Sequence, residues 1–196
     1  MAITLQALPR QIDQSMRVVS FASDLTPVLG GPVTRVSRLG TRFALDISIP
    51  AISAKDCGPG LVVDLNRGET ETIIAPVPEH IEKPPYGSPL VNGAAQTGAT
   101  LDVDGLTPHV FIKKGKFFSL IVSGRRYVHQ VTADTVADAA GAAELPIFPL
   151  LRVSPADNAV VELQAPLIEG FVAPGQAWDV RRIAAIGLSF TITERA

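Results

Sequence analysis

Residues 88–152 decide the fold of this chain. They read SPLVNGAAQTGATLDVDGLTPHVFIKKGKFFSLIVSGRRYVHQVTADTVADAAGAAELPIFPLLR. Short runs rich in Val, Ile, Phe and Tyr alternate in this stretch with Gly, Asp and Pro. Two of the runs, 116–122 and 127–131, are separated by Ser123-Gly124, which is the pattern of a β-hairpin. The alternating run that begins at Leu101 is expected to stop at the Asp104-Gly105 turn signal. We predict a small, closed or nearly closed antiparallel β unit here.

The composition indicates an all-β protein that assembles with partner subunits. Sixteen Gly and sixteen Pro are spread along 196 residues, which favours many turns over a low-complexity tail. Hydrophobic residues make up 46% of the chain and charged residues only 18%, below the roughly 25% usual for soluble domains. We therefore expect partner subunits to cover part of the surface.

Charge and cysteine content exclude several classes of function. The formal net charge of −2 provides no global field that would recruit nucleic acid or an anionic membrane. Cys57 is the single cysteine, so neither an internal disulfide nor a cysteine-cluster metal site can form. No apolar run approaches the roughly 20 residues that span a bilayer, and the N-terminus does not resemble a signal peptide. We expect a protein made in the cytoplasm, without membrane insertion.

The first half of the chain contains its clearest strand. Apolar residues that alternate with polar or small ones predict a half-buried strand at Phe43, Leu45, Ile47 and Ile49. An extended segment over residues 33–39 comes just before it. Because Gly40 separates the two, we predict that they pair as a hairpin.

Residues 53–65 hold the only helix candidate. Ser53 and Asp56 resemble a capping-box pair. Gly58-Pro59-Gly60 is expected to break the helix after one turn, and a second turn would end at Gly68. We predict one or two short helices that have only a packing role.

The best domain boundary is the proline-rich segment over residues 75–89. Its five prolines predict a stiff, extended connector. Strands after Pro166 are expected to return to the first unit. The predicted architecture is therefore discontinuous. An outer β-sandwich or split-barrel domain over residues 1–84 and 166–196 is interrupted by a small β-barrel insert over residues 85–165.

Motifs of common catalytic and cofactor sites are missing. The chain has no G-x-S-x-G elbow, no Walker phosphate loop and no G-x-G-x-x-G. The histidines His80, His109 and His129 lack the spacing of metal ligands. Asp102 and Asp104 are better interpreted as a solvent-facing strand end than as a carboxylate pair for acid–base work. We predict no catalytic residue, no metal and no cofactor.

One cluster of residues is a candidate ligand-binding surface. Basic and aromatic side chains flank the predicted hairpin, and such residues on a small β-barrel can bind single strands or glycans. The candidate contacts are Lys113, Lys114, Lys116, Phe118, Arg125 and Arg126. In the alternative interpretation, the aromatic face fills the barrel and the charges solvate its rim. Phe117 and Phe118 are adjacent and point to opposite faces, so at most one fills the barrel. The other is free to touch a ligand, the outer domain or a neighbouring subunit.

Six segments carry a resemblance to a known family. They are VNGAAQTGATL at 91–101, GKFFS at 115–119, GRRYVH at 124–129, ADAAG at 137–141, PLLR at 149–152 and PLIEG at 166–170. Their order and spacing resemble tail proteins of long-tailed (siphovirus-type) bacteriophages and related prophages, most closely the distal tail protein. The resemblance covers residues 87–196 well and the first half loosely.

This resemblance implies a structural role in the virion. Distal tail proteins form a hexameric ring at the end of the tail tube, and the genome passes through its lumen during DNA ejection. Their outer β domain makes the ring, while a smaller insert, like an oligonucleotide/oligosaccharide-binding (OB) barrel in short members, projects outward. The ring joins the tail tube protein to hub, tail-tip or baseplate proteins, with tail fibres as further candidate partners.

For this chain, the resemblance implies a homohexamer located in the phage tail and made in the host bacterial cytoplasm. DNA would cross the lumen without specific binding, which requires a lumen that is polar and not strongly basic. A ring of identical subunits uses two different patches on each subunit and closes only if the rotation between neighbours is right.

Two other hypotheses remain open. The first is a binding module whose insert recognises a host-surface glycan or single-stranded nucleic acid. The second is a tail-associated hydrolase, which would need a clustered acid or nucleophile that the sequence does not contain. Within the structural class, the tail tube protein itself is a competitor, and it would stack into long filaments.

Overall fold

Strands make up about half of the chain in the computed structural model, which describes residues 2–5, 8, 12–36, 38–53, 58–175, 178–181 and 185–195. The described residues form one α-helix, α1 (Gly58–Arg67). The strands are β1 (Ile3–Thr4), β2 (Asp13–Val19), β3 (Ser23–Leu25), β4 (Thr34–Val36), β5 (Arg42–Ser53), β6 (Ile73–Pro76), β7 (Gly87–Val91), β8 (Gly98–Leu106), β9 (Phe111–Ile112), β10 (Phe117–Val122), β11 (Arg125–Val131), β12 (Thr135–Val136), β13 (Ala143–Leu151), β14 (Val161–Glu162), β15 (Leu167–Val172), β16 (Trp178–Arg181) and β17 (Ala185–Glu194). The prediction of an all-β protein is confirmed.

The first and last parts of the chain build one seven-stranded sheet. Its order is β1-β6-β15-β17-β5-β2, and β16 pairs with the other end of β17. Only the short β1–β6 pair is parallel. β5 and β17, near the middle, are the longest strands, and the alternation predicted for β5 is confirmed because Phe43, Leu45, Ile47 and Ile49 are all buried. The sheet therefore has one apolar face and one polar face.

The central part of the chain builds a six-stranded sheet that curls into a nearly closed barrel. Its order is β14-β10-β11-β13-β8-β7. The two end strands meet at a bridge between Leu90 and Val160, and Val91 N–H donates to the Ala159 carbonyl at 2.9 Å. The hairpin predicted around Ser123-Gly124 is confirmed, since β10 and β11 pair from Phe117–Gln130 to Val122–Arg125.

Two separate clusters of buried apolar side chains fill these sheets. One lies on the apolar face of the seven-stranded sheet and includes α1, and it draws on residues 5–77 and 168–192 together with Val128. The other fills the barrel with residues 86–163. The predicted boundaries near residues 84 and 166 stay a prediction, because packing of the two clusters does not test whether each unit folds alone.

The helix differs from the sequence-based expectation. Gly58-Pro59-Gly60 does not break a helix but begins α1, which then runs unbroken to Arg67. Proline is tolerated in the first turn of a helix because the amide hydrogens there have no intrahelical acceptor. Ser53, expected to cap the helix, lies at the end of β5, and Asp56 and Cys57 fall outside the described residues.

The hairpin predicted around Gly40 is wrong. β4 pairs with β3, whereas β5 pairs with β2 and β17. The described residues 20–36 and 38–41 therefore leave the seven-stranded sheet after β2, form a separate two-stranded hairpin and return at β5. We call this segment the arm.

The stop expected at Asp104-Gly105 is also wrong, since β8 continues through it to Leu106. Gly105 takes a φ of +68°, and a Cβ there would lie 2.6 Å from the Ser88 carbonyl oxygen on β7. The glycine permits a local irregularity in the ladder between β7 and β8 instead of a chain reversal.

Candidate functional site

The polar face of the seven-stranded sheet is covered by no other described element. Side chains on this face alternate with the buried core residues of the same strands. Along its middle lie mostly hydroxyl groups and two acids: Asp13, Ser15, Asp46, Ser48, Ser189, Thr191 and Thr193. Asp46 accepts hydrogen bonds from Arg17 Nε at 3.0 Å and from Thr191 Oγ1 at 2.5 Å. Arg17 therefore compensates the charge of Asp46, whereas Asp13, opposite Ser48, is exposed.

The arm exposes apolar side chains that nothing in the described chain covers. Val28 and Leu29 at its tip are 100% and 99% exposed. Other exposed apolar residues along the arm are Phe21, Leu25, Val33, Val36 and Leu39. Asp24 and Arg35 tie the two strands of the arm together with two hydrogen bonds of 2.6 and 2.8 Å.

A two-stranded hairpin alone is only marginally stable in water. The arm contacts the sheet near its base, where the Arg42 guanidinium lies 5.0 Å from the centre of the Phe21 ring. An exposed set of large apolar side chains on a projecting element is typical of a surface that another protein covers. The arm therefore has the physical character of an assembly surface.

The two units are joined at one side by a buried ion pair. Glu79 on the connector accepts a hydrogen bond from Lys116 Nζ at 2.6 Å and another from Phe117 N–H at 2.8 Å. The side chains of Glu79 and Lys116 are both fully buried. Burial lowers the pKa of Lys116, and its bond to Glu79 opposes that shift. The connector is therefore fastened to the start of β10.

A second buried ion pair joins the units at the C-terminal strand. The Glu194 carboxylate accepts hydrogen bonds from Val128 N–H at 2.7 Å, from Phe43 N–H at 3.1 Å and from the Arg152 guanidinium. Burial raises the pKa of Glu194, while Arg152 and the two amide groups oppose the shift. Since Val128 lies on the barrel and Phe43 on the seven-stranded sheet, this one side chain bridges both units.

His129 lies beside this second ion pair. Its Nδ1–H donates to the Pro149 carbonyl at 2.9 Å, and its ring stacks on Phe118 at 5.6 Å between ring centres. Burial lowers its pKa to about 4, and the nearby Arg152 charge acts in the same direction. The imidazole is therefore neutral near pH 7 and serves packing.

Two of the predicted ligand contacts are wrong. Lys116 and Phe118 are both 0% exposed, so neither offers a surface to a ligand. Lys116 pairs with Glu79, and Phe118 fills the barrel core. Phe117, the other member of the pair, packs on the core of the seven-stranded sheet, 5.4 Å from Phe43 between ring centres.

The remaining four predicted contacts do not form one surface. Lys113 and Lys114 precede β10, whereas Arg125 and Arg126 follow it. A six-residue strand is roughly 20 Å long, so the two basic pairs lie at opposite ends of it. Arg126 is also engaged, because its guanidinium donates to the Glu162 carboxylate at 2.9 and 3.0 Å. Lys113 lines a cleft together with Tyr86 and the exposed Phe111.

The sequence did not reveal the residues that join the two units. Glu79 and Lys116 are 37 positions apart, and Arg152 and Glu194 are 42 apart. No local pattern links such residues. The arm did leave a signal, since Val28 and Leu29 stand between Pro27 and Gly30-Gly31, where a solvent-exposed turn would ordinarily carry polar residues.

Two searches for other kinds of site were negative within the described part of the chain. No three His, Cys, Asp or Glu side chains gather there in a way that could hold a metal ion. No helix within the same ranges has both the length and the apolar character needed to cross a membrane.

A scan of the sequence against models of known protein families finds no match, and a search of curated proteins finds no significant match.

Proposed function

We propose that this protein is a structural component of a phage tail that forms a closed ring, hexameric by resemblance to distal tail proteins. The ring connects the distal end of the tail tube to the hub, tail-tip or baseplate proteins and leaves a lumen for DNA. Its mechanism is assembly, not catalysis.

The observation that carries this proposal is the arm. An element with seven exposed large apolar side chains favours contact with a second protein surface. A second copy of the chain is the partner that we propose. A projecting arm and the different surface that receives it on the next copy make a heterologous contact, which is the kind that closes into rings.

The polar face of the seven-stranded sheet supports the same function. Hydroxyl groups and a paired aspartate suit a wall that DNA passes without being held, because phosphate contacts by unpaired cations would retain it. We propose that the part of this face around Asp46, Ser48 and Thr191 lines the lumen, and that its end at Arg42 and Arg195 lies outside the path of the DNA.

The two buried ion pairs explain how the insert could be held in place within the proposed ring. Glu194 contacts both units, and Glu79 fastens the connector between them to the barrel, so the barrel is held against the seven-stranded sheet at two places. A rigidly held insert can present its outer surface to neighbouring tail proteins without disturbing the ring.

Electron microscopy of the purified protein, together with light scattering, tests the proposal. We expect closed rings of fixed diameter and a mass that is a whole-number multiple of 20.7 kDa, with six as the expected multiple. Long stacked filaments would identify a tube protein instead, and a monomer at virion-like concentration and salt would contradict the ring.

Substitutions at the tip of the arm test whether the arm forms the contact between subunits. Val28→Asp combined with Leu29→Asp places two carboxylates in the proposed contact, where desolvation costs several kcal/mol. We expect rings to be replaced by monomers with an unchanged circular dichroism spectrum. The matched control is Val63→Asp, since Val63 is an exposed valine on α1 outside the arm, and its rings should persist. Rings that survive the double substitution would exclude the arm as the contact.

A second candidate function has one observation in its favour. A cleft of about 600 Å³ on the insert is lined by Lys113, Phe111 and Tyr86. An exposed aromatic ring beside a cation suits stacking of a sugar or a base. Binding of host-surface glycans or of single-stranded oligonucleotides that is lost in Phe111→Ala and Lys113→Ala, but not in Arg125→Ala, would support it.

A further inference from the structure

Two arginines lie side by side at one end of the seven-stranded sheet. Thr193 pairs with Ala44 where β17 meets β5, so two residues further along, Arg195 comes opposite Arg42 on the same face. Like charges directly opposite each other across a sheet destabilise it unless something neutralises them. The described part of the chain contains no acid paired with either guanidinium. Arg17, on the neighbouring strand β2, differs in this respect because it pairs with Asp46.

Each of the two guanidinium groups stacks on an aromatic ring. The Arg42 guanidinium lies 5.0 Å from the centre of the Phe21 ring, and that of Arg195 lies 5.7 Å from the centre of the Phe171 ring. Stacking occupies the flat face of a guanidinium and leaves its N–H donors, which lie in the plane of the group, free for an acceptor. Arg42 Nε is buried and has no hydrogen-bond partner among the described residues. A buried, unpaired donor costs about 1–3 kcal/mol, so a missing acceptor is indicated.

The two arginines line one cleft of about 530 Å³. Its other walls come from residues 171–174 and from Thr193, which contributes a hydroxyl group beside Arg195. Glu194 also contributes to the lining, but its carboxylate points through to the other face of the sheet and is saturated by Arg152 and two amide groups. The cleft is therefore positively charged.

We propose that this cleft binds an oxyanionic group, a phosphate or a carboxylate, between Arg42 and Arg195. Planar guanidinium groups pair with both kinds of oxyanion through two parallel hydrogen bonds, and two of them flanking one cleft can grip a single group from both sides. The site does not depend on the ring or on the phage role, because all of its described parts belong to one chain.

Titration calorimetry on the full chain tests the proposal, with inorganic phosphate and succinate as the two probes and sodium chloride holding the ionic strength constant. We expect saturable binding of at least one probe with a midpoint in the millimolar range. Tighter binding of phosphate would assign the site to phosphate groups, and tighter binding of succinate would assign it to carboxylates. The absence of saturable binding of both probes would overturn the proposal.

Single-residue variants locate the site. We expect Arg42→Gln and Arg195→Gln each to weaken binding at least tenfold, while Arg125→Gln, an exposed arginine on the barrel outside the cleft, leaves it unchanged. If Arg42→Gln fails to fold, the binding measured with Arg195→Gln tests the proposal. Arg195 lies just beyond the end of β17, so its substitution should not disturb the sheet. Equal binding by wild type and Arg195→Gln would overturn the proposal, as would equal loss in Arg125→Gln.

Discussion

At the scale of single residues, the most consequential groups are charges that the fold buries between its two units. A buried ion pair adds little stability compared with apolar residues of the same size, yet removal of one partner leaves an uncompensated charge and costs about 3–5 kcal/mol. Glu79 and Glu194 are such partners, and each also accepts hydrogen bonds from backbone amides. Their value to the protein is orientation, since Glu194 links the seven-stranded sheet to the barrel and Glu79 links the connector to the barrel.

Glu79→Gln should lower the free energy of unfolding by about 3 kcal/mol, because Lys116 would keep its charge in a fully buried position without a carboxylate. Urea denaturation measures the change. Glu82→Gln is the matched control, since Glu82 is exposed on the same connector, and it should change stability by less than about 0.5 kcal/mol.

The double variant Glu79→Leu with Lys116→Met should recover most of the stability lost in Glu79→Gln, because it removes both charges together. An equal loss in the double variant would mean that the shape of the pair matters more than its charge.

His129 should make stability depend on pH. Its pKa is about 4 in the folded protein against 6.5 when unfolded, so between these values the unfolded chain binds more protons than the folded one. The histidine's contribution is complete above pH 6.5 and is lost as the pH falls towards 4, and it amounts to about 3 kcal/mol.

The measurement is the free energy of unfolding at pH 7 and at pH 4, in wild type and in His129→Asn, whose amide can still donate to the Pro149 carbonyl. The fall in stability between the two pH values should be about 3 kcal/mol smaller in the variant. His80→Asn, at an exposed position, should reproduce the wild-type fall. Equal pH dependence in wild type and His129→Asn would contradict the assignment.

At the scale of elements, glycines decide where strands can approach one another. Gly170 on β15 faces β17, and a Cβ there would lie 2.0 Å from the Thr193 carbonyl oxygen. Backbone atoms cannot yield as the end of a side chain can, so any larger residue must separate the two strands. Gly60 in α1 is the opposite case, because nothing lies within 4 Å of the position of its Cβ.

Gly170→Ala should therefore destabilise the protein by about 2 kcal/mol through overpacking. Gly60→Ala should stabilise it by roughly 0.5–1 kcal/mol, since alanine favours a helix more than glycine does. Thermal unfolding of the two variants beside wild type checks both signs, and a neutral Gly170→Ala would show that β15 and β17 can separate without cost.

Elements also mark the limit of local sequence patterns. The hairpin of β10 and β11 could be predicted because its strands and its turn are adjacent in the sequence. The pairing of β5 could not, because β2 and β17, its partners, lie on either side of it at very different distances along the chain. Gly40 does lie in a turn, but the sequence around it contains no information on which strand β5 would pair with.

At the scale of the whole molecule, the two units depend on each other unequally. The barrel core is complete within residues 86–163. The core of the seven-stranded sheet, in contrast, includes Val128 and is packed by Phe117, both from the barrel, and Glu194 takes two of its partners from there.

Residues 85–165 expressed alone should therefore fold, whereas the outer unit with a short linker in their place should be much less stable or unfolded. Such a linker is feasible because Val77 N–H donates to the Pro166 carbonyl at 3.0 Å, which brings the two ends of the outer unit together. Circular dichroism melting of the two fragments checks this asymmetry, and cooperative melting of the outer unit near the wild-type temperature would contradict it.

The sequence by itself determined the all-β class, the alternation of β5 and the hairpin of β10 and β11. These features depend on the secondary-structure propensity of nearby residues and on apolar side chains at every second position. Both can be seen within a short stretch of sequence. The identity of the candidate ligand contacts was only partly predictable, since charge and aromaticity are visible in a sequence but burial is not. Lys116 and Phe118 therefore looked like surface residues.

Only the tertiary structure decided that Lys116 pairs with Glu79, that the arm projects, and that Arg42 lies beside Arg195. Each of these depends on which distant segments come together, and that choice is made by the burial of the whole apolar surface at once. Residue pairs separated by tens or hundreds of positions produce no recognisable local sequence pattern. The hydrophobic effect that brings them together depends on the apolar surface buried by the whole fold and not on neighbours in the sequence.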